Sequence, residues 1–320
     1  MDREGHTGLP AFRPSPTTEN PPLKMSRPMA RLSKQRTIAR SACVCGFGYF
    51  SGHDVTVEFR PAAANSGLTF VRGDLGRRAR IPVSIDYRRD ADRRTVLARG
   101  PVRVEMVEHV LAAVAGLGID NCEIWVDQPE LPGCDGSAEP FVEALDFAGI
   151  IELAAPRRSL FVEQVLRVGD ERTWLEIRPP IDDCLVIDYC LDYGPGPIGR
   201  QLYHLALDEE KFRRDLAPTR TFLLEQEAKA MVEAGLGTHV RPRDLLLFGE
   251  SGPIDNDLRF PDECVRHKAL DIVGDLALAG CDVIGHVVGL RSGHLYNAAI
   301  VAKLLATHAV EMQTPLLAAA

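Results

Sequence analysis

The chain has 320 residues, 45% of them hydrophobic and 26% charged, with no apolar run near the roughly 18 residues that span a bilayer. That composition excludes a wholly disordered chain and a membrane-spanning helix. Its 37 Lys+Arg against 45 Asp+Glu leave a formal net charge of -8, the wrong sign for a general polyanion binder, so nucleic acid is not expected as a partner.

Residues 1–34 carry six prolines up to Pro28 and almost no apolar periodicity, and are expected to be a disordered extension. Thr37 to Val44 and Val55 to Arg60 read as strands around a glycine-punctuated turn, Gly46 to Asp54, and Leu68 to Arg72 reads as another. Val104, Val107, Val110, Leu111 and Val114 recur at helical spacing, which predicts one helix over Val102 to Gly116. A strand at Cys122 to Val126, the loop Asp135 to Ala138 and a helix from Glu139 to Phe147 follow. Ala154 to Arg158 reads as a domain junction, dividing the body into residues 35–155 and 156–308, with 309–320 as a tail. Beyond it, strands are expected at Phe161 to Val168, Trp174 to Arg178 and Leu185 to Tyr189. A polar helix is expected around Ala217 to Ala234, a long helix at Asp262 to Ala279 ending on Gly280, and a strand at Val283 to Gly289. The second half repeats the first in outline, as a structural duplication would.

The eight cysteines contain no C-x-x-C pair and read as ordinary core or loop thiols of a reducing cytoplasm, and no secretory signal is expected. The strongest chemical signal is His267, Asp271 and Asp275, which recur every four residues and form one stripe on the predicted long helix. A His and a carboxylate so spaced can share one divalent ion. The same stripe would also suit a solvated helix face. Glu108-His109 can place a ligand beside a base, and Arg291-Ser292-Gly293-His294 a histidine on a turn after a strand; each alone is weak. Together they supply what a mononuclear zinc hydrolase needs: ligands His109, His267 and Asp271, the base Glu108, the acid His294, and Asp275 to orient that acid.

Several separated motifs carry a family resemblance: Gln35-Arg36-Thr37, Arg60-Pro61-Ala62 with Asn65-Ser66-Gly67, and Val107-Glu108-His109 followed by Ala115 to Asn121. Pro129 to Pro132 leading to Asp135-Gly136-Ser137-Ala138, Arg220-Thr221-Phe222, Phe260 to Asp275 and Ser292-Gly293-His294 complete the order. From about Gln35 to Leu305 the chain resembles the UDP-3-O-acyl-N-acetylglucosamine deacetylases, zinc amidases of lipid A biosynthesis. The resemblance implies an α+β fold of two similar domains, each a sheet packed on helices, with the helices sandwiched between the sheets and the metal at the domain junction. It implies the metal ligands, base and acid just named, with zinc, or Fe2+ in its place. It adds Thr221 as the donor to the oxyanion, Lys268 at the substrate's diphosphate, and Tyr193 beneath uracil with Phe222 beside the substrate. The implied partner is UDP-3-O-acyl-N-acetylglucosamine, bound by a cytoplasmic protein, with a monomer favoured.

Three stretches depart from the family pattern. Phe50 stands where the glycine-rich turn usually holds an active-site histidine, Gly235-Leu236-Gly237-Thr238-His239 replaces a Gly-Gly-Ser stretch, and Leu295-Tyr296-Asn297-Ala298 replaces Ala-Leu-Asn-Asn. All lie around substrate rather than metal. Two other readings fit the same residues: a zinc amidase acting on a related UDP-amino sugar, and a non-catalytic UDP-sugar-binding paralogue.

Overall fold

The computed structural model describes residues 33–313, so the extension read at 1–34 lies outside them except for its last two positions. The fold is α+β. Its five-stranded sheet runs, in spatial order, Ala42–Phe47, Asp54–Pro61, Cys122–Val126, Leu68–Arg72, Arg80–Pro82. The larger sheet runs Leu166–Gly169, Trp174–Arg178, Asp282–Leu290, Leu185–Asp192, Arg200–Ala206, with Ser159–Phe161 joined beside Asp282–Leu290. In both, the strand that comes last in the chain is inserted between two earlier strands that are consecutive in the chain within their sheet, antiparallel to the first and parallel to the second. A parallel neighbour requires a crossover connection, and a helix supplies it each time.

The helices are α1 (Glu108–Gly116), α2 (Glu139–Ala148), the short α3 (Glu209–Lys211), α4 (Glu225–Glu233), α5 (Glu263–Leu276) and α6 (His294–Gln313). α1 leads into the inserted strand of the first sheet and α5 into that of the second; the two helices pack directly on each other. α2 covers the Ala42–Phe47 strand, α5 lies on Leu185–Asp192, and α6 on the opposite edge at Leu166–Gly169. Both crossovers carry extra structure before their helix. Arg88–Arg89, Val96–Arg99 and Val102–Glu105 form a small sheet ahead of α1, while Phe222–Leu224, Leu246–Gly249 and Gly252–Pro253 form another around α4, ahead of α5. A two-stranded sheet pairs Lys34–Ile38 with Ile150–Pro156.

Several sequence expectations need correction. The helix expected from Val102 begins only at Glu108, because Val102 and Val104 also alternate with period two and pair with Val96–Arg99, and Met106 breaks the chain at φ 57. The helix expected from Ala217 shrinks to Glu225–Glu233, its first residues forming a turn and the Phe222–Leu224 strand. Thr37 to Val44 is two strands split at residues 39–41, and Phe161 to Val168 is likewise interrupted. α6 was not foreseen; it starts at the turn read around His294 and continues to Gln313, into the segment read as a tail. Among the described residues, no helix is long and apolar enough to cross a membrane.

The α1–α5 crossing is close at Gly274, where an added Cβ would lie 2.1 Å from the Glu108 carbonyl oxygen. Helix propensity alone favours Ala over Gly by about 1 kcal/mol. The obstructing atom is backbone at the start of a helix and cannot swing aside. Gly274→Ala is therefore expected to destabilise by about 1–3 kcal/mol, as overpacked cores do. Urea unfolding checks this, and an unchanged midpoint would contradict the close crossing.

Candidate active site

Because α1 starts where it crosses the last turn of α5 at Gly274, the Glu108 and His109 side chains face the stripe on α5. His267, Asp271 and Asp275 are only 2%, 2% and 0% exposed, so the stripe is not a solvated face. One ligand atom from each of His109, His267 and Asp271 can be chosen so that all three lie within 4.8 Å of one another. The His267 Nδ1–H donates to the Thr219 carbonyl oxygen at 3.0 Å, which leaves Nε2 with a free lone pair. Asp271 is divided in its duties: Lys268 Nζ sits 2.5 Å from Oδ2. Its Oδ1 is buried without a hydrogen-bond partner, 3.5 Å from His267 Nε2 and 4.0 Å from His109 Nε2. An orphaned carboxylate oxygen beside two imidazole nitrogens is costly unless a cation completes it. These residues fit a divalent metal.

Two further groups face this cluster. His294, the first residue of α6, has Nε2 3.8 Å from Asp271 Oδ2 and 3.9 Å from Glu108 Oε1. Its Nδ1–H donates to Asp275 Oδ2 at 2.8 Å, and the Asn297 amide donates to the same oxygen at 2.9 Å. The other oxygen of Asp275 accepts from the Thr95 hydroxyl at 2.6 Å. Glu108 Oε2 accepts the Thr95 backbone N–H at 3.0 Å, leaving Oε1 toward His294.

The charges follow from this packing. Burial pushes Glu108 up to about 7; the His294 cation opposes, and Asp275 and Asp271 add to the rise. Burial disfavours the His294 cation, but Asp275, Asp271 and Glu108 outweigh it and hold the ring at about 9. Burial and the neighbouring His267 bring His109 down to about 3, and burial lowers His267 as well. Both are thus neutral at pH 7, the form that ligates. Burial opposes the charge on Asp271, yet Lys268 and the histidines hold its carboxyl well below the usual range.

The loop at residues 219–222 is tied to α5. Arg220 forms a buried ion pair with Glu263 at 2.8 Å and donates to Asn256 and to the Asp257 carbonyl oxygen. This fixes Thr219 behind His267 and Thr221 on the wall of a cavity of about 490 Å³ that opens over Glu108, His267 and His294. Lys268, Tyr193 and Phe222 lie on the same wall, the last two rings meeting edge to face at 5.7 Å between centroids. Tyr193 is 42% exposed and Phe222 is buried against Phe248. One side of the cavity is apolar, built by Met231 and Val232 of α4 with Leu223, Val240 and Leu247.

The departing stretches also border this cavity. Phe50 lines it under the Arg94 guanidinium, 4.0 Å from the ring centroid, and Glu130 accepts the Phe50 and Ser51 backbone N–H groups at 2.7 and 2.8 Å. Leu236, Gly237, Leu295 and Tyr296 line it as well, while the His239 ring packs over Gly52. Asn297, Glu130 and Glu263 lie in stretches named from the sequence but were given no role there, and Thr95 was not named. None belongs to a periodic stripe, and their roles depend on long-range contacts that spacing does not reveal.

The family model for UDP-3-O-acyl N-acetylglycosamine deacetylase (LpxC) matches residues 35–306. A UDP-3-O-acyl-N-acetylglucosamine deacetylase of Anaeromyxobacter sp. (strain Fw109-5) is 40% identical over 273 residues, covering 85% of this chain and 88% of the relative. Proteins of the same name from Myxococcus xanthus and Brucella ovis are each 36% identical, covering 85% of this chain and 86% and 95% of their own. With the match spanning nearly the whole described fold and containing every residue of the metal cluster, the chain belongs to the UDP-3-O-acyl N-acetylglycosamine deacetylase family.

Proposed function

We propose that this protein is a zinc-dependent amidohydrolase that removes the N-acetyl group of UDP-3-O-acyl-N-acetylglucosamine, the committed step of lipid A biosynthesis. The observation that carries this reading is the orphaned Asp271 Oδ1 between two neutral histidines, with Glu108 and His294 facing it. His109, His267 and Asp271 would hold the zinc; two imidazoles and one carboxylate also suit Fe2+. When bound, the metal polarises the acetamide carbonyl and lowers the pKa of a water molecule.

This chain's own residues do the rest. Glu108 Oε1 takes the proton of the attacking water, Oε2 staying on the Thr95 N–H. Thr221 donates to the oxyanion as it forms, and His294 Nε2–H protonates the departing amine. The products are acetate and a UDP-linked glucosamine that keeps its 3-O-acyl chain. The apolar wall beside α4 supports an acylated substrate over a bare UDP-amino sugar. Lys268, with 20% of its side chain exposed, would meet the diphosphate, and Tyr193 with Phe222 the base; that all three line the cavity supports these roles. Free cysteines throughout the described residues support a cytoplasmic setting. We also take residues 35–155 and 156–308 as two domains, supported by the strand order their sheets share.

Glu108 acts ionised and His294 protonated, so kcat/KM against pH is expected to be bell-shaped. Activity falls on the acid side as Glu108, raised to about 7, gains its proton, and on the alkaline side as His294, raised to about 9, loses its own. Asp275→Asn removes a negative charge that raises both groups. Both limbs should move to lower pH, the alkaline one further because Asp275 bonds His294 directly. An unaltered profile would contradict the pairing. Mass spectrometry of products from UDP-3-O-acyl-N-acetylglucosamine tests the function itself: loss of one acetyl group with the acyl chain retained is expected. Turnover confined to an unacylated UDP-amino sugar, or UDP-sugar binding without any turnover, would sink it.

A further inference from the structure

Thr95 has 1% of its surface exposed, just ahead of the Val96–Arg99 strand, and belongs neither to the metal cluster nor to the residues that line the cavity. Three of its groups are nevertheless committed to the start of α1 and to α5. Its carbonyl oxygen accepts the Val107 N–H at 3.4 Å, its N–H donates to Glu108 Oε2 at 3.0 Å, and its hydroxyl donates to Asp275 Oδ1 at 2.6 Å. Among the described residues, that hydroxyl is the one hydrogen-bond donor to Asp275 Oδ1, whereas Oδ2 has two donors, His294 and Asn297.

We propose that Thr95 is a positioning residue for the deacetylase reaction, setting the distance between the base Glu108 and the acid His294 by bonding both Glu108 and the Asp275 that holds His294. The inference rests on the deacetylase reading above. The physics is that Asp275 is fully buried, so losing the Thr95 hydroxyl strands a charged oxygen without a donor. The carboxylate then turns toward another donor and carries the His294 ring with it. Proton transfer to the leaving amine is steep in distance and suffers, while the substrate's contacts are untouched.

The test compares wild type, Thr95→Val and Thr95→Ser, all loaded with zinc. Val keeps the backbone N–H to Glu108 and the shape of the side chain but not the hydroxyl. Acetate release by Thr95→Val is expected to lose about 10- to 100-fold in kcat with KM and zinc content unchanged, and Ser should return kcat to within a few-fold of wild type. In parallel, the hydrogen-bonded His294 Nδ1–H proton, read by NMR, should keep its wild-type position in Thr95→Ser and shift in Thr95→Val. Wild-type kcat in Thr95→Val, a rise in KM that accounts for the loss, or failure of Ser to rescue would overturn the proposal. If Thr95→Val does not fold, Thr95→Ala replaces it in the same comparison, and if neither folds the residue is structural and the proposal fails. Should wild type release no acetate, the deacetylase reading fails separately. The NMR comparison then decides the Thr95 contact, identical resonances in wild type and Thr95→Val overturning it.

Discussion

Glu108→Gln is expected to bind zinc as wild type does while its kcat for acetate release falls by about 10²- to 10⁴-fold, the range a general base contributes. The geometry separates the two functions. Glu108 is not among the three residues whose atoms cluster for the metal, so amidation leaves that set intact. Gln has the same shape, and its one carbonyl oxygen can still accept the Thr95 N–H that Glu108 Oε2 accepts. Its amide nitrogen then replaces the oxygen that faced His294, and an amide nitrogen cannot take a proton from water. Steady-state kinetics with metal analysis check this, and wild-type kcat in the Gln variant would remove Glu108 from the mechanism.

Asp271→Asn should lose the metal itself. In the native protein the Lys268 ammonium occupies Oδ2, leaving Oδ1 for the cation. The half-buried Lys268 ammonium still favours an acceptor, so the Asn oxygen turns to Lys268 and its NH₂ faces His109 and His267. That group has no lone pair to offer. Zinc content is expected to drop toward none and kcat by about 10³-fold or more, since the cation supplies several kcal/mol of transition-state stabilisation. Full zinc occupancy in Asp271→Asn would show that this carboxylate is not a ligand.

The chemistry was more legible in the sequence than the fold around it. His267, Asp271 and Asp275 could be placed together because a helix turns a four-residue spacing into a stripe, and helical geometry is local. That His109 faces them depends on the α1–α5 crossing at Gly274, a contact between distant segments. Spacing does not encode that contact; His109 was joined to the stripe by the set of groups a zinc hydrolase needs, and the family resemblance implied the same set. Val102 to Val107 failed for a different reason: alternate valines satisfy the strand period and the helical one together. Only the left-handed turn at Met106 decides between them. The small sheets ahead of α1 and α5 were missed because their strands are two to four residues long, too short for any period to emerge. Thr95 lies in one of those connections, between Arg94 and Val96, where nothing distinguishes a buried threonine from a loop residue.

The central claim is that a single metal held by His109, His267 and Asp271 works with Glu108 to release acetate. Titrating zinc into chelator-stripped protein, with acetate release from UDP-3-O-acyl-N-acetylglucosamine as the readout, tests it most directly. Stripped protein should be inactive, and wild type should gain activity up to a plateau at about one equivalent of zinc, while Glu108→Gln binds the same equivalent with turnover reduced about 10²- to 10⁴-fold. Full turnover by metal-free protein, or zinc bound at one equivalent by wild type with no acetate formed, would contradict it.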